Sequence, residues 1–381
     1  MEERTVKIAL TGAGNLARQY AEIIASGKVP GMELTAITAR NDAAKAWAAE
    51  ALPPSVAVFG SPDALFGEPE LYDSVLASAP YPAQYEDVLK AFALGKNVLC
   101  DKPVSRSVAR AREMTLAAEK SGKAYGAMMF KRVTEKYAHI SQVVRSGILG
   151  KILRVSFEIS DAFRTAAFHQ AVPFRSTWTG EGGGCLVSFA QNPLDIYCWL
   201  FGMPERVSAH VRFGKYNTFA VDDEAAVLME HADGMTGTFF YTTGEAPMED
   251  RLTVVGTQGV LRMDYERIAV RTYEDSQAYL RTSECLTREE MRFDVPTSAA
   301  FPKEKPYHLV LRNFADHVLY GTPLVAPGKE GERPLEIAAA AYLSAWSGSS
   351  VLLPVDSEAY REELEKRILD EQDFEDEGEP G

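Results

Sequence analysis

Val6-Lys7-Ile8-Ala9-Leu10-Thr11-Gly12-Ala13-Gly14-Asn15-Leu16-Ala17 decides the reading of this 381-residue chain. The apolar run 8–10 predicts a short buried strand. A tight glycine turn follows, then a helical pattern over 15–26 that puts Leu16, Tyr20, Ile23 and Ile24 on one face, with Gly27 as its C-cap. Strand, G-x-G-x-x-A and helix in this order is the context in which the motif binds a dinucleotide. Gly12 permits the turn, Gly14 lets backbone N–H groups approach a pyrophosphate, and Ala17 is small enough for close helix–strand packing. The helix N-terminus at Asn15 and Leu16 adds partial positive charge for the phosphates. The plainer alternative is an ordinary strand–helix turn with two glycines. The context favours the nucleotide.

Outward from this stretch, strands and helices alternate as a doubly wound parallel sheet requires. A second strand, 34–38, ends in Ala39-Arg40-Asn41. An acidic residue at this point accepts from the ribose 2′-hydroxyl of NAD, whereas small residues with an arginine accommodate the 2′-phosphate of NADP. Arg40 without an Asp or Glu therefore favours NADP over NAD. The alternative is a solvated Arg40, with Asp42 capping a helix over 42–51. Strands follow at 56–59 and 72–78, the latter running into Ser78-Ala79-Pro80-Tyr81-Pro82 and a helix that carries Gln84. A fifth strand, 97–100, leads into Asp101-Lys102-Pro103. A helix over 107–120 and a sixth strand over 124–130 complete the pattern.

The rhythm then changes. In 151–159, Leu153, Val155, Phe157 and Ile159 alternate with polar residues, the mark of a sheet with one wet face. A loop over 161–181 holds Arg164, His169, Arg175 and Trp178. Gly182-Gly183-Gly184 precedes a helix over 185–201. Strand signals recur from 205 to 272 and read as a largely antiparallel sheet. Residues 275–306 carry no decisive pattern, and helices are expected over 307–320 and 335–347. The expected organisation is a dinucleotide-binding domain over 1–125, an α/β substrate and oligomerisation domain over 126–355, and an acidic tail over 356–381 that begins as a charged helix and ends disordered. That tail has too few apolar residues to anchor a core.

Net charge is −14, and the tail alone holds 12 acidic and 3 basic side chains. No basic face is left for nucleic acid or an anionic membrane. No stretch approaches the apolar length of a membrane span, and, with the first residues running straight into a strand, no signal peptide is expected. Cys100, Cys185, Cys198 and Cys285 show no C-x-x-C pair or metal-ligand spacing, so reduced thiols in the cytoplasm are expected. No metal is expected either: His139, His210, His231, His308 and His317 form no ligand pattern.

The order of motifs resembles the glucose–fructose oxidoreductase / inositol dehydrogenase family, Gfo/Idh/MocA. The resemblance spans nearly all of 6–354. It rests on the opening glycine stretch and on Ala93-Leu94-Gly95-Lys96-Asn97-Val98-Leu99-Cys100-Asp101-Lys102-Pro103, which is similar to the family's G-K-H-V-x-x-E-K-P. Gly147-Ile148-Leu149-Gly150-Lys151-Ile152, the triple glycine with Asp195 downstream, and 314–353 add to it. The resemblance implies a Rossmann-type parallel sheet followed by an α/β domain on a large, open, mostly antiparallel sheet. It also implies a homodimer or homotetramer built through that sheet, and oxidation or reduction of a hydroxyl or ketone on a sugar, cyclitol or related polyol with NAD(P). Asp101 then contacts the nicotinamide ribose, and Ser78, Pro80 and Gln84 lie on the cofactor side. Arg132, Arg164, Arg175 and Trp178 belong to segments that line the substrate pocket in relatives.

Oxidising an alcohol by hydride transfer needs a base for the hydroxyl proton and donors for the developing alkoxide. Lys102, at a strand's carboxyl end, is the first candidate for polarising the substrate oxygen or, with a lowered pKa, for taking the proton. The resemblance also exposes a departure. In the family's G-G-G-x-x-x-D-x-G-x-H-x-x-D, the aspartate falls on Ser188, the glycine on Ala190, the histidine on Asn192 and the last aspartate on Asp195. The spacing of 188, 192 and 195 predicts one helix face. Asparagine, however, takes no proton at neutral pH. Three readings stay open. The chain is an oxidoreductase whose proton goes to Lys102, Asp195 or His169, with Asn192 positioning substrate. Or it is a nucleotide-binding sensor or scaffold without catalysis. Or it performs redox-assisted glycoside cleavage on the same cofactor.

Overall fold

Two arguments from local sequence account for the first sheet. The runs β1 (Val6–Thr11), β2 (Met32–Thr38), β3 (Ala57–Phe59), β4 (Ser74–Ala77), β5 (Asn97–Cys100) and β6 (Tyr125–Ala127) are short and apolar. Helices between them return the chain for parallel pairing. The order is β3-β2-β1-β4-β5-β6, every pair parallel, so the switch point lies between β1 and β4. The computed structural model describes residues 4–79, 83–172 and 174–377. They form two compact units: Met1–Val133 with Lys305–Leu335, and Thr134–Glu304 with Glu336–Gly381.

In the first unit, Ile8, Leu10, Ile37, Leu76 and Leu99 are buried in one cluster with Tyr20 and Ile24 of the helix Asn15–Ala25. Each such apolar side chain contributes about 1.5–3 kcal/mol by leaving water. A helix from far along the chain, Tyr307–Tyr320, completes this core through Tyr307, Leu311 and Phe314. The Tyr307 ring meets Tyr20 at 5.2 Å and Phe130 at 4.9 Å, both edge-on. The organisation therefore differs from the continuous domains expected from sequence. Periodicity shows that 307–320 has an apolar face but not which core receives it.

The second unit is built on β7 (Ile152–Ile159), β8 (Arg206–Phe213), β9 (Asp222–Glu230), β10 (Thr236–Thr242), β11 (Asp250–Gly256), β12 (Gly259–Asp264), β13 (Arg267–Thr272), β14 (Thr297–Ala300) and β15 (Val351–Leu352). Their order is β14-β13-β12-β11-β7-β10-β9-β8-β15. The β7–β10 pair is parallel and the others are antiparallel. Alternation decides the faces. Val155, Phe157, Ile159, Val227, Phe239, Tyr241, Leu252 and Val254 are buried, while Leu228 on the other face stays exposed. That outer face holds a concavity of about 850 Å³ lined in part by Glu158, His210, Leu228, Thr238 and Phe240.

Several local expectations are corrected. The helix over 185–201 is two helices, Cys185–Ser188 and Gln191–Phe201. Pro193 has no N–H to continue a single helix, and the break places it in the first turn of the second one, where proline is tolerated. Ser188 thus ends the first helix, and Asn192 and Asp195 sit on the second. The expected strand 124–130 ends at Ala127, and a 3₁₀ turn, Phe130–Val133, follows. Asn41, not Asp42, caps the helix Asp42–Ala51, its side chain accepting from the Ala44 amide at 2.8 Å. Asp275 caps a helix, Ser276–Thr282, inside the stretch without a decisive pattern. The tail forms the helix Ser357–Glu377, and Tyr360 and Glu371 in it are buried. Among the described residues no helix is long and apolar enough to cross a membrane.

Candidate functional site

The glycine turn of the first unit is built by its neighbours across the switch point. Gly12 has φ +97°, and a Cβ there would meet the Ser78 carbonyl at 2.7 Å. Its amide donates to the Thr38 hydroxyl at 2.7 Å, which ties the turn to the end of β2. A Cβ on Gly14 would meet no protein atom within 4 Å. Gly14 caps the helix Asn15–Ala25 without a side-chain hydrogen bond, and no acidic residue sits in its first turn. An open backbone at an uncapped, cationic helix end fits a pyrophosphate. Asn15 is exposed there, Leu16 leans into the core, and Ala17 is buried. The sequence reading missed Arg18, whose Nε donates to the Ala13 carbonyl at 2.9 Å and whose guanidinium lies 4.9 Å from the Trp47 ring. Arg40 is exposed just beyond β2.

The loop after β5 is fixed from three sides. Asp101 is buried and accepts from Tyr20 Oη at 3.1 Å, Ser78 Oγ at 2.8 Å and the Lys102 amide at 2.8 Å. Burial pushes its carboxyl above the ordinary range, against these hydrogen bonds and the Lys102 charge. Gln84 is also buried. Its amide nitrogen lies within 2.9–3.2 Å of the carbonyls of Asp101, Pro103 and Val104, so it positions the loop backbone. Lys102 itself is half-buried and precedes a cis bond to Pro103. Arg132 is buried in an ion pair with Glu330 and donates to the Val325 carbonyl at 3.1 Å. Pro80 lies outside the described residues.

In the second unit, Asp222 at the start of β9 organises the triple glycine. One of its oxygens accepts from the Gly184 amide at 2.7 Å and the Tyr342 hydroxyl at 2.5 Å. The other accepts from the Leu186 amide at 2.9 Å and Cys185 Sγ at 3.0 Å. A Cβ on Gly184 would meet the Asp222 carbonyl at 1.9 Å, so only glycine lets the strand come this close. Gln191 Nε2 donates to the Leu186 carbonyl at 2.8 Å and links the turn to the next helix, where Asn192 and Asp195 are buried. Asn192 Oδ1 has no hydrogen-bond partner among the described residues.

Arg164 and Phe168 pack against that turn at Phe189, and Arg175 packs on Phe168. Arg164 lies 4.6 Å from the Phe168 ring and 4.9 Å from Phe189, and Arg175 lies 4.1 Å from Phe168. Arg175 also donates to the Phe168 carbonyl. His169 is buried beside them. Burial and then the Arg175 and Arg164 charges lower its pKa. Its Nδ1 pairs with Ser176 Oγ at 2.5 Å, and its Nε2 has no partner among the described residues. The structure thus gathers Arg164, His169 and Arg175 near Phe189. Trp178 goes elsewhere: it is buried, its indole N–H donates to the Ala220 carbonyl at 3.1 Å, and its ring packs on Tyr342 and Trp346. Ser188 is half-buried at the end of the first of the two helices. Among the described residues no group of His, Cys, Asp and Glu is placed to hold a metal ion.

A parallel sheet with a glycine turn and an uncapped helix at its switch point, followed by a unit on an open mixed sheet, defines an NAD(P)-binding oxidoreductase fold. The chain belongs to the Gfo/Idh/MocA oxidoreductase family: residues 6–128 match its NAD-binding Rossmann-fold domain, and residues 137–262 match its C-terminal domain. The mouse trans-1,2-dihydrobenzene-1,2-diol dehydrogenase is 25% identical over 264 residues, 67% of this chain and 73% of that protein. The bovine counterpart is 27% identical over 212 residues, 54% of this chain and 58% of its own length. Among solved structures, the WlbA dehydrogenase of Bordetella pertussis in complex with NADH and UDP-GlcNAcA shares the fold. It has a TM-score of 0.76 and 20% identity, covering 93% of this chain and 100% of its own.

Proposed function

We propose that this protein is an NADP-linked dehydrogenase or reductase acting on a CH–OH or ketone carbon of a sugar, cyclitol or related polyol, with Lys102 as its central charged group. The observation that carries this reading is the loop after β5, where Tyr20, Ser78 and Gln84 together fix Asp101 and the backbone around Lys102. Such fixing is what a group aimed at a reacting oxygen requires. The nicotinamide cofactor, when bound, supplies the hydride chemistry. Gly12, Gly14 and Asn15 hold its pyrophosphate, and Arg40, with no acid at the end of β2, pairs with a 2′-phosphate.

Lys102 polarises the substrate oxygen and stabilises negative charge on it. Asn192 accepts a substrate hydroxyl through its unpaired Oδ1. The proton goes to Asp195 or His169. The lowered pKa of His169 keeps its imidazole neutral near pH 7, the form that accepts a proton, and Nε2 is the nitrogen left for it. Arg164 beside this imidazole suits a hydroxylated or acidic substrate. The open outer face of the nine-stranded sheet supports a homodimer or homotetramer, and the free cysteines suit the cytoplasm.

The test is nicotinamide absorbance during incubation with sugars, sugar acids, aminosugars and cyclitols, with NAD and NADP, beside Lys102→Ala. Turnover that falls by about 10²–10⁴-fold in the variant, with nucleotide affinity kept, is the expected result. Tight nucleotide binding without any absorbance change across the panel overturns the reading in favour of a sensor or of redox-neutral cleavage.

A further inference from the structure

We propose that the C-terminal helix Ser357–Glu377 is a strap that shapes the loop following the short helix Ala166–Gln170, which carries His169, and that Glu371 is its positioning residue. Glu371 is only 6% exposed, although it sits in the most acidic stretch of the chain. Its Oε1 accepts from the Trp178 amide at 2.8 Å and its Oε2 from the Thr179 amide at 2.9 Å. Burying a carboxylate is costly unless donors replace its water, and two aligned backbone N–H groups do so.

From this anchor the order runs back along the loop. Glu181 accepts from the Ser176 amide at 2.9 Å, and the Gly180 amide donates to the Thr177 hydroxyl at 2.8 Å. Ser176 stands at φ 57°, a left-handed conformation that a non-glycine residue keeps only when its surroundings impose it. Its hydroxyl pairs with His169 Nδ1 and so orients the imidazole. Glu371 acts on His169 through these residues, without touching it.

The docking is narrow, as a strap requires. The helix supports itself by pairs along its own surface, Arg361 with Glu358 and Glu365, and Lys366 with Glu363. Beyond Glu371 it holds on through Tyr360, stacked on Trp346 at 6.2 Å, and through Arg367, 5.4 Å from the same ring. A crevice of about 430 Å³, lined by Trp178, Phe213, Trp346 and Arg367, lies beside these contacts. Contacts gathered at Glu371, Tyr360 and Arg367, with a crevice beside them, make the helix separable from the sheet that carries the rest of the unit.

The experiment is amide hydrogen exchange on the full chain, on Glu371→Ala, on Glu371→Gln and on a chain ended after residue 356. Exchange at residues 174–181 should rise at least about tenfold in Glu371→Ala and in the shortened chain, and less in Glu371→Gln, which keeps one acceptor. The strands β7 and β9–β11 and nucleotide affinity should not change. Unchanged exchange at 174–181 in Glu371→Ala overturns the proposal. So does a rise spread evenly over β7–β11, which makes the helix part of the unit's global stability. The consequence for catalysis rests on the function proposed above: substrate KM rises in Glu371→Ala. If no substrate is turned over by the full chain, that function fails, while the exchange result still decides the strap.

Discussion

Asp101 and Asp222 are both buried carboxylates that fix a turn, yet they do it differently. Asp101 accepts two side-chain hydroxyls and the amide of its own neighbour, Lys102. Asp222 accepts two backbone amides, a thiol and a tyrosine hydroxyl, all from residues 36 to 120 positions away. A hydroxyl can turn round and accept; a backbone N–H cannot. Asp101 also draws on distant chain through Tyr20, but its two hydroxyl donors make the first turn adaptable, whereas the backbone amides on Asp222 make the second rigid.

Exchanging each carboxylate for its amide separates the two. In Asp222→Asn the new NH₂ faces donors whichever way it is turned, so the cost should be about 2–4 kcal/mol in chemical denaturation. In Asp101→Asn the NH₂ can donate to Ser78 Oγ while the carbonyl keeps Tyr20 and Lys102, and the loss should stay within about 1 kcal/mol. Equal losses at the two positions would break the contrast. Arg40→Asp probes a group that depends on no such turn. It should weaken NADP about 10–100-fold more than NAD in a binding titration, and equal losses would remove Arg40 from the phosphate site.

A pH-dependent effect concerns Asp87, a buried carboxylate of the helix Ala83–Ala93. Burial pushes it up to about 6, against the charges of Arg40 and Lys90. The folded state then holds this proton more tightly than the unfolded chain. Stability is lost as pH rises from about 4 to about 6, and the penalty stays constant above that. Asp87→Asn should therefore add about 1–2 kcal/mol at pH 7 and nothing below about pH 4. A benefit independent of pH would show that charge is not the cause.

The legibility of the chain follows the same division. The glycine turn, the strand ends and Asp101-Lys102-Pro103 could be read because each is a short motif whose parts are neighbours in sequence. Tyr20 was visible only as an apolar position, since its hydroxyl finds Asp101 after the helix has packed. Trp178 looked like a pocket residue because a loop tryptophan gives no sign of the core it enters. Pro193 was the available signal for the broken helix. Nothing near Glu371 marks it out from the other acids of its helix.

The sequence by itself determined the alternation of elements, the glycine turn and the Lys-Pro loop. Each depends on periodicity or on side-chain chemistry within a few residues. Tertiary structure alone decided that 305–335 joins the first unit, that Asp222 holds the triple glycine, and that the acidic tail docks on Trp178 and Thr179. Those depend on which distant surfaces meet, and a buried polar group declares its partner only once water has been excluded from between them.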